Sequence, residues 1–193
     1  MKKWMKAAAL GIVTVGLVAS LGGCGSSDKF VGDWSDLDES MQNIEKLNRV
    51  PNMETPKYHT LHIEKNGKDY LVNGIEYTYP ASALPLATRE KGECWVRLSQ
   101  HYFWGNSTFV RQGESNTMKP TVSTWGIESI DYIEKGDKLQ VHHPRGYTVT
   151  MTRTKDKNEI TKYIAKMQEK LTAIMAKYGV QMKYNDKVLE ANK

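Results

Sequence analysis

The histidines are the side chains of this 193-residue sequence best suited to proton transfer or metal binding, and their spacing limits that chemistry. His59 and His62 are three residues apart, and His142 and His143 are adjacent, in segments where apolar and polar residues alternate. Alternate residues of a strand face opposite sides, so neither pair can bind one metal ion there. His59 and His143 are in phase with neighbouring apolar residues. We expect two ordinary hydrogen-bonded interior histidines rather than a shared haem or metal site.

The motifs of common enzyme classes do not occur in this sequence. It contains no Gly-x-Ser-x-Gly, His-Glu-x-x-His or Cys-x-x-Cys, and neither a phosphate loop nor a dinucleotide fingerprint. We therefore predict that the protein is not an enzyme, with no catalytic residue, no cofactor and no metal ion.

The first 23 residues have the three-part pattern of a secretory signal peptide. Lys2, Lys3 and Lys6 make the start basic, an apolar run covers 7–18, and small residues then lead to Cys24. The run is shorter than the roughly 20 apolar residues of a membrane-spanning helix, and an uncleaved N-terminal anchor is the alternative interpretation. Three lysines would be removed with this peptide, so the net charge of +5 does not indicate a nucleic-acid partner.

Leu21-Gly22-Gly23-Cys24 directly follows the apolar run and resembles the lipobox of bacterial lipoproteins. The resemblance implies diacylglycerol on Cys24, cleavage before it, and a cell-envelope protein anchored to a membrane by lipid. Because Gly25 rather than Asp follows, it implies the outer membrane if the host has two membranes. Cys94 is then without a cysteine partner, and we expect it to be a small buried apolar residue.

Behind this start, period-2 alternation and turn signals such as Asn66-Gly67 predict a β-rich region. The predicted parts are a signal peptide (1–23), a lipidated tether (24–29), a β-barrel (30–154) and a C-terminal helix with a tail (155–193). The predicted strands are 30–34, 58–65, 68–79 with a bulge at Gly74, 93–104, 107–112, 127–134, 138–143 and 147–154. Segments 36–50, 80–89 and 113–124 are predicted loops, the first with a helical turn.

The fold class predicted from these segments is mainly β, an antiparallel up-and-down meander closed into a barrel. Closure is expected because it removes exposed strand edges. One amphipathic helix is predicted from about Asn158 to Lys177, with Gly179 as its stop. We expect its apolar stripe to pack on the barrel, and a membrane surface or a partner protein is the alternative.

Gly32-x-Trp34 on the first strand, about eight meandering strands and a helix after the last strand resemble the lipocalin fold. The resemblance implies that Trp34 closes the narrow end of the barrel and stacks on a basic side chain near the end of the last strand. Arg153 has that place and is in phase with Val149 and Met151. We therefore predict that Arg153 contacts the Trp34 ring and that Gly32 leaves room for the approach.

The aromatic set around the longest predicted strand suggests where a ligand would bind. Tyr102 and Trp104 are in phase with the inward set, whereas Trp95 and Phe103 are out of phase and expected to include exposed rings. We predict a lipoprotein that binds a small apolar or amphipathic ligand in its barrel. The predicted ligand-binding residues are His59, Tyr102, Trp104 and His143. The alternative is a filled barrel that binds an envelope protein, as an inhibitor or assembly factor.

Overall fold

The computed structural model describes residues 28–52, 54–122 and 126–186, and gives only the backbone of residues 103–106. The predicted signal peptide, lipobox and lipidation of Cys24 lie outside the described residues. The strands are β1 Gly32–Ser35, β2 Tyr58–Asn66, β3 Asp69–Thr78, β4 Gly92–Val96, β5 Ser99–Arg111, β6 Thr117–Pro120, β7 Ser129–Ile133, β8 Lys138–His142, β9 Thr148–Arg153 and β10 Val180–Tyr184. The helices are α1 Leu37–Lys46, α2 Leu84–Glu90 and α3 Glu159–Ala176.

Eight antiparallel strands form a closed barrel in the order β1-β2-β3-β5-β6-β7-β8-β9, and β9 pairs with β1 to complete it. Tight turns connect most neighbours, as the sequence predicted. Gly67 and Gly136, with φ of +63° and +94°, occupy the left-handed region that such turns require. The prediction of a mainly β fold with a closed antiparallel barrel and a C-terminal helix packed on it is confirmed.

Two apolar cores divide the molecule. The first lies inside the barrel, where the inward residues of each strand meet, among them Leu61, Ile63 and Val141. The second lies outside, where α3 covers the outward faces of β2 and β3. There the Tyr58 ring stacks between the rings of Tyr77 and Tyr163, at 5.8 and 5.4 Å. The apolar stripe of α3 therefore packs against the barrel, as predicted.

The longest predicted strand is wrong in its bounds. Residues 93–104 belong to two strands, and β5 runs through Gly105-Asn106, where a turn was predicted. The ten-residue β3 is the reason, because it pairs with β5 from Thr78↔Ser99 to Tyr70↔Phe109. The predicted irregularity at Gly74 is confirmed: the register shifts on both sides of its pair with Trp104, where β5 carries extra residues.

Four further elements differ from the sequence predictions. Segment 36–50 contains a full helix, α1, and segment 80–89 contains most of α2, which begins beside Pro85. The predicted loop 113–124 contains β6. β10 was not predicted, and it pairs in parallel with β4, outside the barrel. Cys94 on β4 is 5% exposed, in agreement with its predicted burial.

The contact between Trp34 and Arg153 is present at one end of the barrel, which we call the aromatic end. Arg153 Cζ lies 4.2 Å from the centre of the Trp34 ring, and the two residues are paired across β1 and β9. The guanidinium also donates to the carbonyls of Val31 and Lys29, at 2.8 and 2.9 Å. A Cβ at Gly32 would lie 2.8 Å from Arg153 Nη1, so glycine leaves the room this approach needs.

Candidate functional site

The opposite end of the barrel, which we call the polar end, carries buried ionisable side chains on neighbouring strands. Asp36 follows β1, His59 lies on β2 and Glu76 lies on β3. Trp34 pairs with Leu61, and Leu61 pairs with Gly74. Asp36, His59 and Glu76 are each two residues from one of these, towards the same end of the barrel, so they lie at one level and face the same side. The order of the strands therefore brings these three side chains together inside the barrel.

His59 bridges the two carboxylates. Its Nδ1 lies 2.5 Å from Asp36 Oδ2, and its Nε2 lies 3.4 Å from Glu76 Oε2. The backbone N–H of His59 also donates to Asp36 Oδ1 at 2.7 Å. Asp36 further accepts a hydrogen bond from the Ser40 hydroxyl, which fixes the start of α1 against β2. The cluster thus ties three neighbouring strands and one helix together.

Burial disfavours a charged imidazole, but the hydrogen bonds to Asp36 and Glu76 outweigh it and raise the pKa of His59 to about 9. His59 is therefore an imidazolium at neutral pH. Burial would raise the pKa of Glu76, yet His59 and Lys57 lower it below its ordinary value. Lys57 Nζ lies 3.4 Å from both Glu76 Oε1 and Glu54 Oε2. Two cations and the buried carboxylates thus largely balance each other, as a stabilising ion network requires.

His143 also lies at the polar end but in a different electrostatic state. It follows β8, is 6% exposed, and stacks on the Tyr147 ring with the centres 4.2 Å apart. Burial and the charge of Arg145 lower the pKa of His143, so its ring is neutral at neutral pH. Burial, and to a smaller extent the charge of Glu76, raises the pKa of Tyr147 above its ordinary value. The two candidate histidines therefore share one end of the barrel with opposite charge states.

The other two predicted ligand-binding residues are not both inside. Tyr102 is 68% exposed and lies outside, because an extra residue of β5 between His101 and Trp104 breaks the two-residue alternation. The prediction that Tyr102 faces the interior is therefore wrong. The backbone of Trp104 pairs with Gly74, and its side chain lies outside the described part of the structure. The sequence signal that could have placed Tyr102 is the predicted bulge at Gly74.

The inward side chains of the described barrel strands pack into one buried core. The fully buried rings of Trp34, Tyr70 and Phe109 occupy its middle and its aromatic end. The buried charged side chains of Asp36, His59 and Glu76 occupy the polar end. Two cavities, of about 380 and 250 Å³, are both on the outer surface: one lies between α1 and the outward faces of β8 and β9, the other beside β4.

The cavity beside β4 lies next to the exposed side chain of Trp95 and the edge of β4 that does not pair with β10. It is lined by 95–99 on one side and by Pro80, Ser82 and Ala83 on the other. The Trp95 ring is 63% exposed, as its phase had suggested. β4 pairs with β10 alone within the described residues. The backbone N–H of Gly92 donates to Gly179 and the carbonyl of Val96 accepts from Asn185, so both face β10. Because backbone groups alternate along a strand, the N–H and C=O groups of Glu93 and Trp95 point to the opposite edge.

No group of three or more His, Cys, Asp or Glu side chains in the described ranges is arranged to hold a metal ion. Among the helices of the described residues, none is both long enough and apolar enough to span a membrane. No protein-family model matches this chain, and no curated protein sequence matches it either.

Proposed function

We propose that this chain is a lipid-anchored envelope protein that binds a partner protein through the groove beside β4, with the barrel as a rigid scaffold. The lipid anchor is proposed from the sequence alone, because Leu21-Gly22-Gly23-Cys24 follows an apolar run. The observation that carries the choice of partner is the buried core that the inward side chains form inside the barrel. A carrier of small apolar molecules needs an internal cavity, whereas both grooves described above lie on the outer surface.

The groove beside β4 is suited to an extended segment of a partner. A free strand edge offers backbone donors and acceptors that an added strand can satisfy. Trp95 stands next to that edge with most of its ring in solvent, and tryptophan is enriched among the residues that dominate binding energies. Backbone pairing would supply affinity, and the pocket beside Trp95 would select one apolar side chain of the partner.

The charges around the groove indicate the character of that segment. Arg89, Lys91 and Arg97 are exposed and form no ion pair within the described residues. Of the described acids nearby, Glu93 is paired with Lys183 at 3.7 Å, and Asp186 accepts hydrogen bonds from Gln168 and the Leu98 N–H. With Glu90, two acids without a cation partner face three such cations. An acidic segment with one large apolar residue complements this surface, and its charge would speed association at low salt.

Selection of random displayed peptides on the purified full-length chain, held in detergent micelles, tests this function. We expect acidic peptides with a large apolar residue, and their affinity should fall at least about tenfold in Trp95→Ala and in Arg97→Glu. Tyr178→Ala removes another exposed aromatic ring (46% exposed) and should leave the affinity unchanged. Failure to select any peptide, or peptides insensitive to Trp95→Ala, would contradict the proposal.

The rival function, transport of a small apolar ligand, has its own measurement. Native mass spectrometry of the protein purified from its host would reveal a stoichiometric small molecule in addition to the N-terminal lipid. We expect none, because the inward side chains of the barrel strands pack into one buried apolar core. A bound apolar molecule released only on unfolding would overturn the scaffold interpretation in favour of a carrier.

A further inference from the structure

A second groove on the outer surface shares no lining residue with the one beside β4. It encloses about 380 Å³ between α1 and the outward faces of β8 and β9. That volume falls within the range of about 300–1,000 Å³ typical of small-molecule sites. Its lining consists of Ser35, Asp36, Asp38, Glu39, Gln42, Asn43, Lys46, Lys138, Thr150 and Thr152.

One wall of the groove is a polar face of α1. Residues 38, 42 and 46 are spaced by four, as are 39 and 43, so they form one continuous face of the helix. The opposite face of α1, which includes Ile44, packs in the outer core against α3. The burial of that apolar face therefore fixes the direction in which the polar face points.

The floor of the groove is a row of hydroxyl and ammonium groups on the barrel. Thr152 pairs with Ser35 on one side and with Lys138 on the other, so the three lie in line across β1, β9 and β8. Thr150 continues the same face of β9. Rigid barrel strands and a helix anchored by the hydrogen bonds of Asp36 and Ser40 hold both walls in place.

Most of these polar groups have no partner among the residues that the structure describes. Ser35 donates to Glu159, and Asp36 is bound by His59 and Ser40. The other eight lining side chains make no hydrogen bond or ion pair with any described residue. They include carboxylates, amides, hydroxyls and ammonium groups, so donors and acceptors are mixed along the whole groove.

The chemistry of the lining excludes most ligand classes. No aliphatic or aromatic side chain is among the lining residues, so an apolar ligand would gain little by burial. Asp36 is already paired with His59, but Asp38 and Glu39 oppose a phosphate or another anion, and Lys46 and Lys138 oppose a metal cation. A neutral molecule rich in hydroxyl groups remains, because each hydroxyl can both donate to a carboxylate or amide oxygen and accept from an ammonium or amide N–H.

We propose that this groove binds a neutral saccharide. The mixed donors and acceptors of Asp38, Gln42 and Asn43 on the helix would pair with hydroxyls of one sugar face. Thr150, Thr152 and Lys138 on the barrel would pair with the other. The site goes beyond the proposed protein-binding function and stands on a different surface, so the failure of one leaves the other intact.

Titration calorimetry with a panel of neutral disaccharides (maltose, cellobiose, lactose and chitobiose) tests the site. The full-length chain is used in a detergent without a sugar headgroup, because such a headgroup would compete. We expect at least one disaccharide to bind with a Kd in or below the millimolar range. The double variant Gln42→Ala/Asn43→Ala should weaken it at least about tenfold through the loss of hydrogen bonds.

Gln181→Ala is the matched control, since this glutamine is exposed on β10, away from the groove. It should bind the same disaccharide with unchanged affinity. Both substituted residues of the double variant are exposed, so its thermal unfolding should match that of the unmodified chain. No binding by any disaccharide, binding unchanged in the double variant, or binding only of inorganic phosphate or dialanine would overturn the proposal.

Discussion

At the level of single residues, Arg153 has the largest number of specific interactions at the aromatic end. Its guanidinium lies over the Trp34 ring, donates to two backbone carbonyls, and donates through Nε to Asp137 at 2.6 Å. These bonds hold residues 29–31 of the N-terminal segment against the last strand. One cation thereby joins the start and the end of the barrel.

We predict that Arg153→Met lowers the free energy of unfolding by about 2–3 kcal/mol, because it leaves the carbonyls of Val31 and Lys29 without their donor. Urea unfolding of Arg153→Met, Trp34→Phe and the double variant forms a cycle that isolates the contact between the cation and the ring. We expect a coupling of about 0.5–2 kcal/mol. Strictly additive losses would mean that the two side chains do not interact.

His59 makes the stability depend on pH in a defined direction. Its folded pKa of about 9 lies above the ordinary value of 6.5, so the folded protein holds this proton more tightly than the unfolded chain. The stabilisation is complete below about pH 6.5 and is lost as the pH rises through about 9. We expect a loss of up to about 3 kcal/mol in the free energy of unfolding between those limits.

Urea unfolding at a series of pH values, compared between variants, measures this effect. His59→Gln should remove most of the dependence between pH 6.5 and 9, since the buried group that titrates there is gone; the pKa of His62 is also raised, by Asp33, but that pair is exposed to solvent. His62→Gln should retain it, because His62 is about half exposed and its ion pair with Asp33 is on the surface. An unchanged pH profile in His59→Gln would show that another group is responsible.

At the level of elements, α3 stabilises the molecule by covering the outer faces of β2 and β3. Tyr163 donates its hydroxyl hydrogen bond to the carbonyl of Pro56 at 2.8 Å, and Met167 is completely buried among the outer core residues. The helix therefore belongs to the folded core, and its apolar face is already occupied by the barrel.

We predict that Met167→Ala lowers the free energy of unfolding by about 2–5 kcal/mol, because it leaves a cavity in this core. Thr161→Ala, on the exposed face of the same helix, should change it by no more than about 0.5 kcal/mol. Thermal and urea unfolding of both variants measure the difference. Equal effects of the two substitutions would mean that α3 is not packed as described.

At the level of the whole molecule, the proposed lipid anchor on Cys24 precedes the aromatic end of the barrel in the sequence. The described chain begins at residue 28, at the aromatic end, where Asp28 accepts a hydrogen bond from Lys65 at 3.1 Å. We predict that Cys24→Ser abolishes incorporation of a palmitate analogue in the host and leaves the precursor poorly processed. Incorporation of label into the Cys24→Ser variant would disprove the lipoprotein interpretation.

The sequence by itself determined the barrel and its aromatic end. Alternation with period 2 and turns such as Asn66-Gly67 are local properties, and they specify consecutive antiparallel strands without reference to the rest of the chain. The contact of Trp34 with Arg153 follows from two features. Both residues are in phase with the inward-facing residues of their strands, and closure of the barrel makes the first and last strands neighbours. Of the candidate site, the interior positions of His59 and His143 were predicted correctly.

Only the tertiary structure decided the features in which distant segments meet. Asp36 and Glu76 become partners of His59 through strand order, and neither carboxylate carries a local signal of that pairing. Tyr102 turns outward because β5 must match β3 across an irregular register. β4 and β10 pair only after α3 has returned the chain along the barrel, so the groove beside Trp95 depends on packing between segments 88 residues apart (180 − 92). Such contacts are set by the global arrangement, which local periodicity does not encode.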